Sequence, residues 1–222
     1  MKQFILTNKK KLTNDVFELD FKSSESVDHI PWQFITFILD GIGGRSYSLL
    51  SSKDLDFKLI IKRVADGKKG SIYLCDSLVW AEFKWVGPVW KFVLHNEHTA
   101  KLFAGTGTWL VPLYNQIVKT LESGNSSKIT LLFWVRTSAD IFYIENFKSL
   151  KEKYPNFDYK VALSREENDE YHTWYITDFV DENMAWLYNE AYLCWAPVVV
   201  DSMQEKLVMN NFNIENIFTE KY

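Results

Sequence analysis

The feature that most constrains the fold is a change in the spacing of apolar residues near Thr99. Before it, Phe17, Leu19 and Phe21 alternate with Glu18, Asp20 and Lys22, the period of a half-buried strand. Further short apolar segments (FITFIL, FKLIIKRV, SIYL, KFVL) are separated by turn-rich stretches such as Asp40-Gly41-Ile42-Gly43-Gly44 and Asp66-Gly67-Lys68-Lys69-Gly70. Strands in series with no helix between them predict an antiparallel barrel or sandwich.

After Thr99, strand and helix alternate. LFAG reads as a strand, and Leu110, Leu113, Ile117, Val118 and Leu121 then recur at helical spacing. KITLLF (strand), a helix over about 140–153, FDYKVAL (strand) and the final strand AYLC follow, the last leading into a helix opened by Pro197. Such alternation predicts a parallel sheet. The charged segment SREENDEYH reads as loop. The expected architecture is therefore an N-terminal all-β antiparallel six-stranded barrel over 1–98 and a C-terminal α/β parallel-sheet nucleotide-binding domain over 99–222.

Composition excludes several classes. A chain of 222 residues with 47% hydrophobic and 24% charged residues and a net charge of -4 is globular, and its charge gives no reason to expect a nucleic acid partner. No apolar run reaches membrane-span length, and the first residues lack the pattern of a signal peptide, so a cytoplasmic location is expected. Cys75 and Cys194 are too few for a cysteine-ligated iron-sulfur cluster. His29, His95, His98 and His172 lack metal-ligand spacing, so no metal site is expected.

Five ordered segments carry candidate chemistry. Arg45-Ser46-Tyr47-Ser48 follows Pro31-Trp32-Gln33-Phe34; a guanidinium fork suits phosphate and an aromatic ring suits a flat cofactor. Next come Gly70-Ser71-Ile72-Tyr73-Leu74, with Lys62, Arg63 and Val64 just upstream, and Gly87-Pro88-Val89-Trp90-Lys91-Phe92. In the second half, Ala104-Gly105-Thr106-Gly107-Thr108 joins a strand to a helix, where glycines let a pyrophosphate approach the helix N-terminus. Arg136 follows a strand end, and Cys194-Trp195-Ala196-Pro197 follows the last parallel strand.

Together these segments resemble the ferredoxin-NADP reductase superfamily from about Trp32 to Tyr222. The resemblance implies FAD in the barrel and NADH or NADPH in the α/β domain, with hydride passing between nicotinamide and flavin. It places Arg45 on a flavin phosphate, Tyr47 on the isoalloxazine ring and Ser48 near its N5. Lys62, Val64, Gly70 and Ser71 fall along the phosphate arm, the last two in a turn-and-strand whose N–H groups meet the pyrophosphate. Gly105, Thr106 and Gly107 form the nicotinamide-nucleotide loop, ended by Pro112, and Arg136 meets the ribose or its phosphate. Cys194 faces the hydride-transfer position, while Glu220 and the terminal Tyr222 cover the flavin. The implied partner is ferredoxin, flavodoxin or a partner subunit. The alternatives are an electron-transfer flavin subunit of a larger complex, or a degenerate flavoprotein-like module with no enzymatic activity.

The sequence departs from the family pattern at its tryptophans. Trp32, Trp80, Trp90, Trp109, Trp134, Trp174 and Trp195 stand where the family has glycine, and Trp85 and Trp186 fit glycine turns less clearly. The chain holds 9 Gly and 9 Trp, against about 16 glycines for an average chain of this length. Tryptophan at positive φ costs about 1–2 kcal/mol per site and overpacking about 1–3. The expectation is that UGA codons specifying glycine have been read as tryptophan; UGG codons at these positions would exclude it.

Overall fold

The computed structural model describes residues 2–27, 33–89 and 93–221. The chain divides into two compact units, Met1–Val93 and Leu94–Tyr222.

The first unit holds β1 (Lys2–Lys11), β2 (Val16–Ser23), β3 (Phe34–Leu39), β4 (Gly43–Ser48), β5 (Ser51–Lys53), β6 (Asp56–Lys62), α1 (Gly70–Asp76) and β7 (Glu82–Val89). Its strands form one antiparallel sheet in the order β4-β3-β7-β1-β2-β6-β5. Alternation sends Phe4, Leu6, Phe21, Phe37, Phe57 and Leu59 to one face, where they are buried together. The sheet is strongly coiled. Phe4 on the central strand touches both Phe37 on β3 and Phe57 on β6, each with ring centroids 4.9 Å apart, although those two strands lie towards opposite edges. Seven strands occur among the described residues where six are expected.

Two local expectations are corrected. SIYL forms most of α1 and not a strand: Leu74 and Cys75 face the core while Tyr73 is exposed, a helical distribution. A four-residue apolar run carries too little period to separate the two conformations. The expected KFVL strand falls partly outside the described residues, and Val93 and Leu94 are irregular.

The second unit holds β8 (Lys101–Thr106), α2 (Leu110–Glu122), β9 (Ile129–Val135), α3 (Ile144–Lys153), β10 (Phe157–Leu163), β11 (His172–Thr173), α4 (Met184–Leu187), β12 (Glu190–Trp195), α5 (Pro197–Met209) and β13 (Ile217–Lys221). They form a six-stranded sheet, β11-β10-β9-β8-β12-β13, with every pairing parallel. Leu110, Leu113, Ile117 and Leu121 bury one face of α2 against this sheet. From β8 the chain winds outward through β9, β10 and β11, then returns to place β12 on the other side of β8. The order reverses there, and ligands of open α/β sheets bind beyond the carboxyl ends of strands at such a reversal.

Among the described residues, the tryptophans are not uniformly in turns. Trp85, Trp134 and Trp195 lie within strands, Trp186 in α4 and Trp109 in a 3-10 turn before α2. Only Trp80 and Trp174 have positive φ. Trp32 and Trp90 lie outside the described residues.

Candidate cofactor sites

In the first unit, β4 projects Arg45, Tyr47 and Ser48, all partly buried. The Arg45 Nη1 donates to the Gly44 carbonyl at 2.6 Å and Nη2 to the Lys68 carbonyl at 3.1 Å. Its Nε is buried with no hydrogen-bond partner among the described residues. The arginine stem runs directly over Gly70: a Cβ there would lie 2.5 Å from Arg45 Cγ and 3.1 Å from the Tyr47 hydroxyl. Glycine is therefore required at 70 for close approach. Its N–H donates to the Lys68 carbonyl at 2.9 Å, so it is engaged within the loop rather than offered outward as expected.

Tyr47 meets Phe37 edge-on at 5.7 Å. Burial pushes its hydroxyl up to about 12, with a further rise from Cys75, so it is protonated at neutral pH. The Ser71 hydroxyl accepts the Val64 N–H at 3.1 Å, tying the 64–70 loop to α1. Lys62 pairs with Asp15 at 3.0 Å, and Arg63 grips Asp76 through two hydrogen bonds of 2.8 and 2.7 Å. That bidentate bond holds the Asp76 carboxyl below the usual range. Sequence reasoning missed both acidic partners, which lie on other elements.

In the second unit, the loop between β8 and α2 sits at the sheet reversal. Gly105 is buried, and a Cβ there would lie 2.7 Å from Leu113 Cδ1, so glycine lets α2 close against β8. The Thr106 hydroxyl donates to the Trp134 carbonyl. Gly107 takes φ 50° with open space around it. Across the reversal, Cys194 is the register partner of Gly105, and Glu220 on β13 is the register partner of Cys194. Cys194 has no exposed surface; burial, reinforced by Glu220, pushes its thiol well above the ordinary value. The fully buried Trp195 fills the end of β12 and meets Trp134 at 6.4 Å, edge to face.

At the carboxyl ends of β9 and β10, Arg136 is exposed, and its carbonyl accepts the Arg165 N–H at 2.9 Å. Beside it, Ser138 donates its N–H and hydroxyl to Glu166, at 2.8 and 3.1 Å, which holds that carboxyl below its usual range. Neither Ser138 nor Glu166 stands out in the sequence, because their only signal is pairing across adjacent parallel strand ends. Tyr222 and His29 lie outside the described residues. No group of His, Cys, Asp and Glu suited to a metal occurs among the described residues.

Residues 103–204 match the family described as an oxidoreductase NAD-binding domain. The fold is similar to that of a cytochrome P450 reductase of Amycolatopsis, with TM-score 0.91 and 23% identity, covering 99% of this chain and 69% of that one. The chain is similar in fold to a solved ferredoxin reductase, at 18% identity. It is 27% identical over 195 residues to the ferredoxin–NAD(P)+ reductase component of the naphthalene 1,2-dioxygenase/salicylate 5-hydroxylase systems of a Ralstonia species, covering 86% of this chain and 60% of the relative. One component of the Na+-translocating NADH-quinone reductase of Neisseria meningitidis is 26% identical over 213 residues, covering 86% of this chain and 52% of the relative. The chain thus spans between half and two thirds of the length of these relatives. No described helix is long and apolar enough to cross a membrane.

Proposed function

We propose that the chain is the FAD- and nicotinamide-binding part of an oxidoreductase. In this reading residues 1–98 hold FAD, residues 99–222 take NADH or NADPH, and electrons leave to a one-electron carrier such as ferredoxin or flavodoxin, or to a partner subunit, in the cytoplasm. The observation that carries it is the Arg45 guanidinium, drawn across Gly70 with a buried Nε that has no partner among the described residues. A buried donor without an acceptor costs about 1–3 kcal/mol, more on a charged group, and a phosphate oxygen would satisfy it.

FAD, when bound, supplies the exchange between two-electron hydride chemistry and one-electron transfer. The chain's own residues bind, orient and screen. Arg45 fixes a phosphate, aided by Lys62 and the Val64–Ser71 loop. Tyr47 offers an aromatic face that burial keeps neutral, and Ser48, at the end of the same strand, offers a hydroxyl to the ring edge. In the second unit Gly105, Thr106 and Gly107 shape a strand-to-helix turn whose N–H groups favour an anion, and Arg136 serves the ribose or its phosphate. Cys194, the register partner of Gly105, serves the hydride-transfer position.

The test is reconstitution. Protein incubated with FAD and desalted should retain a yellow, near-stoichiometric flavin, and anaerobic NADH or NADPH should bleach it. Arg45→Ala should lose most of the retained flavin while keeping the fold; equal retention by parent and variant would remove the assignment of Arg45. A colourless parent would sink the proposal as a whole. The likeness to a component of the Na+-translocating quinone reductase supports a second reading, an electron-transfer member of a larger assembly. It predicts bleaching by nucleotide without turnover on free ferredoxin or flavodoxin.

A further inference from the structure

Six described residues other than glycine have positive φ. Asp54 (55°), Tyr143 (64°), Asn211 (65°) and Lys69 (66°) fall inside the left-handed window, about +50° to +70°, that L-residues can enter. Trp80 (77°) and Trp174 (83°) lie beyond it, in the company of Gly124 (83°) and Gly43 (87°).

Both backbones are held in place. The Ala81 N–H donates to the Leu78 carbonyl at 3.0 Å, which makes Trp80 the third residue of a four-residue turn, and the Trp80 N–H is bonded to the Leu6 carbonyl at 2.7 Å. A φ near +80° at the third position belongs to the type II turn, which calls for glycine there. At 174 the N–H donates to the Leu163 carbonyl at 2.8 Å, and the carbonyl accepts the Trp134 indole N–H at 3.0 Å. Burial of the indoles offers little in return, since Trp80 is 72% and Trp174 56% exposed.

Trp85 and Trp195 are the contrary case. Each lies within a strand with its ring buried in an apolar core, Trp85 against Phe4 at 5.7 Å and Phe57 at 6.4 Å and Trp195 among Leu102, Leu132 and Leu193, and neither has the positive φ that calls for glycine.

We propose that positions 80 and 174 are glycine sites of the working protein, since the backbone at both already has the conformation of glycine. This inference does not rest on the proposed function.

The test compares Trp80→Gly with Trp80→Ala, and Trp174→Gly with Trp174→Ala, by thermal unfolding of the full chain. Both members of each pair remove the exposed indole, so only the backbone preference differs. Each glycine variant is expected to melt at least about 2 °C above its alanine counterpart. Alanine matching glycine at both positions overturns the proposal. Peptide masses from the protein made by its native source give an independent readout: glycine at 80 and 174 supports the proposal, and tryptophan at both overturns it.

Discussion

Lys101 and Glu190 form an ion pair inside the second unit, Nζ 3.3 Å from the carboxylate, with both side chains sealed from solvent. Lys101 also donates to the Thr99 carbonyl at 3.0 Å and its hydroxyl at 2.8 Å, while Glu190 accepts from Asn96 at 2.5 Å and from the Tyr192 hydroxyl at 3.0 Å. The Tyr192 oxygen in turn accepts the His95 N–H at 3.0 Å, and the His95 ring stacks on Phe218. These bonds fasten the 95–99 segment to the start of the sheet, at the opposite end of the strands from the β8–α2 loop.

The pair gives the first prediction. Burial pushes the Lys101 ammonium down from its ordinary value, and Glu190 opposes that shift. Removing one charge leaves the other buried alone, so Lys101→Met or Glu190→Leu should each cost about 3–5 kcal/mol. The double variant Lys101→Met/Glu190→Leu should recover most of that loss. Urea denaturation of the four proteins closes the cycle; single losses below about 1 kcal/mol would show that the pair carries no such coupling.

The thiols give a prediction with a pH sign. Burial, then the Asp76 charge, pushes Cys75 from 9.0 up to about 12. Above pH 9 the unfolded chain releases this proton while the folded chain keeps it, so the folded state binds more protons and stability falls as pH rises from about 9 towards about 12. Cys75→Val should therefore lose less stability than the parent between pH 8 and 10.5, measured by urea midpoints. In the native parent at pH 8, an aromatic disulfide reagent should label neither Cys75 nor Cys194, since both are buried. Rapid labelling of Cys194 would mean that the crevice opens in solution.

How much of this is legible in the sequence differs by element. The α2 helix is readable because five apolar residues repeat over three turns, and α5 because Pro197 marks its start. The strand-to-helix loop at Gly105 is readable because its glycines stand between those periods. Helix α1 is not: its short apolar run fits either a strand or a helix, and burial of Leu74 and Cys75 against the sheet decides. Nor are the ion pairs Lys62–Asp15 and Lys101–Glu190, whose members meet only through tertiary structure. The tryptophans are conspicuous in sequence, yet only the backbone separates Trp80 and Trp174, with φ suited to glycine, from Trp85, which is seated in the core.

Gly105 gives a prediction about packing alone. Gly105→Ala would place its Cβ 2.7 Å from Leu113 Cδ1, forcing this buried leucine to shift within the contact between α2 and β8. A cost of about 1–3 kcal/mol is expected from such overpacking. Gly105→Ala combined with Leu113→Ala should cost less than the sum of the two single changes, because the truncated leucine makes room for the new methyl. Strict additivity in urea denaturation would show that α2 already has slack at this contact.

Gly70 tests the cradle in the first unit without touching its charged group. A Cβ at 70 would meet Arg45 Cγ at 2.5 Å and Cδ at 3.0 Å, so Gly70→Ala must push the guanidinium off its two carbonyl partners, Gly44 and Lys68. If Arg45 holds a flavin phosphate, the variant should bind FAD at least about tenfold more weakly, about 1.4 kcal/mol, with little change in melting temperature of the flavin-free protein. Arg45→Lys should weaken binding by a similar factor while leaving Gly70 unobstructed, because a single ammonium cannot reproduce the fork that spans two carbonyls and still presents Nε. Titration by flavin fluorescence measures both. Full affinity in Gly70→Ala together with lost affinity in Arg45→Lys would mean that the arginine reaches the phosphate from a conformation other than the one drawn over Gly70.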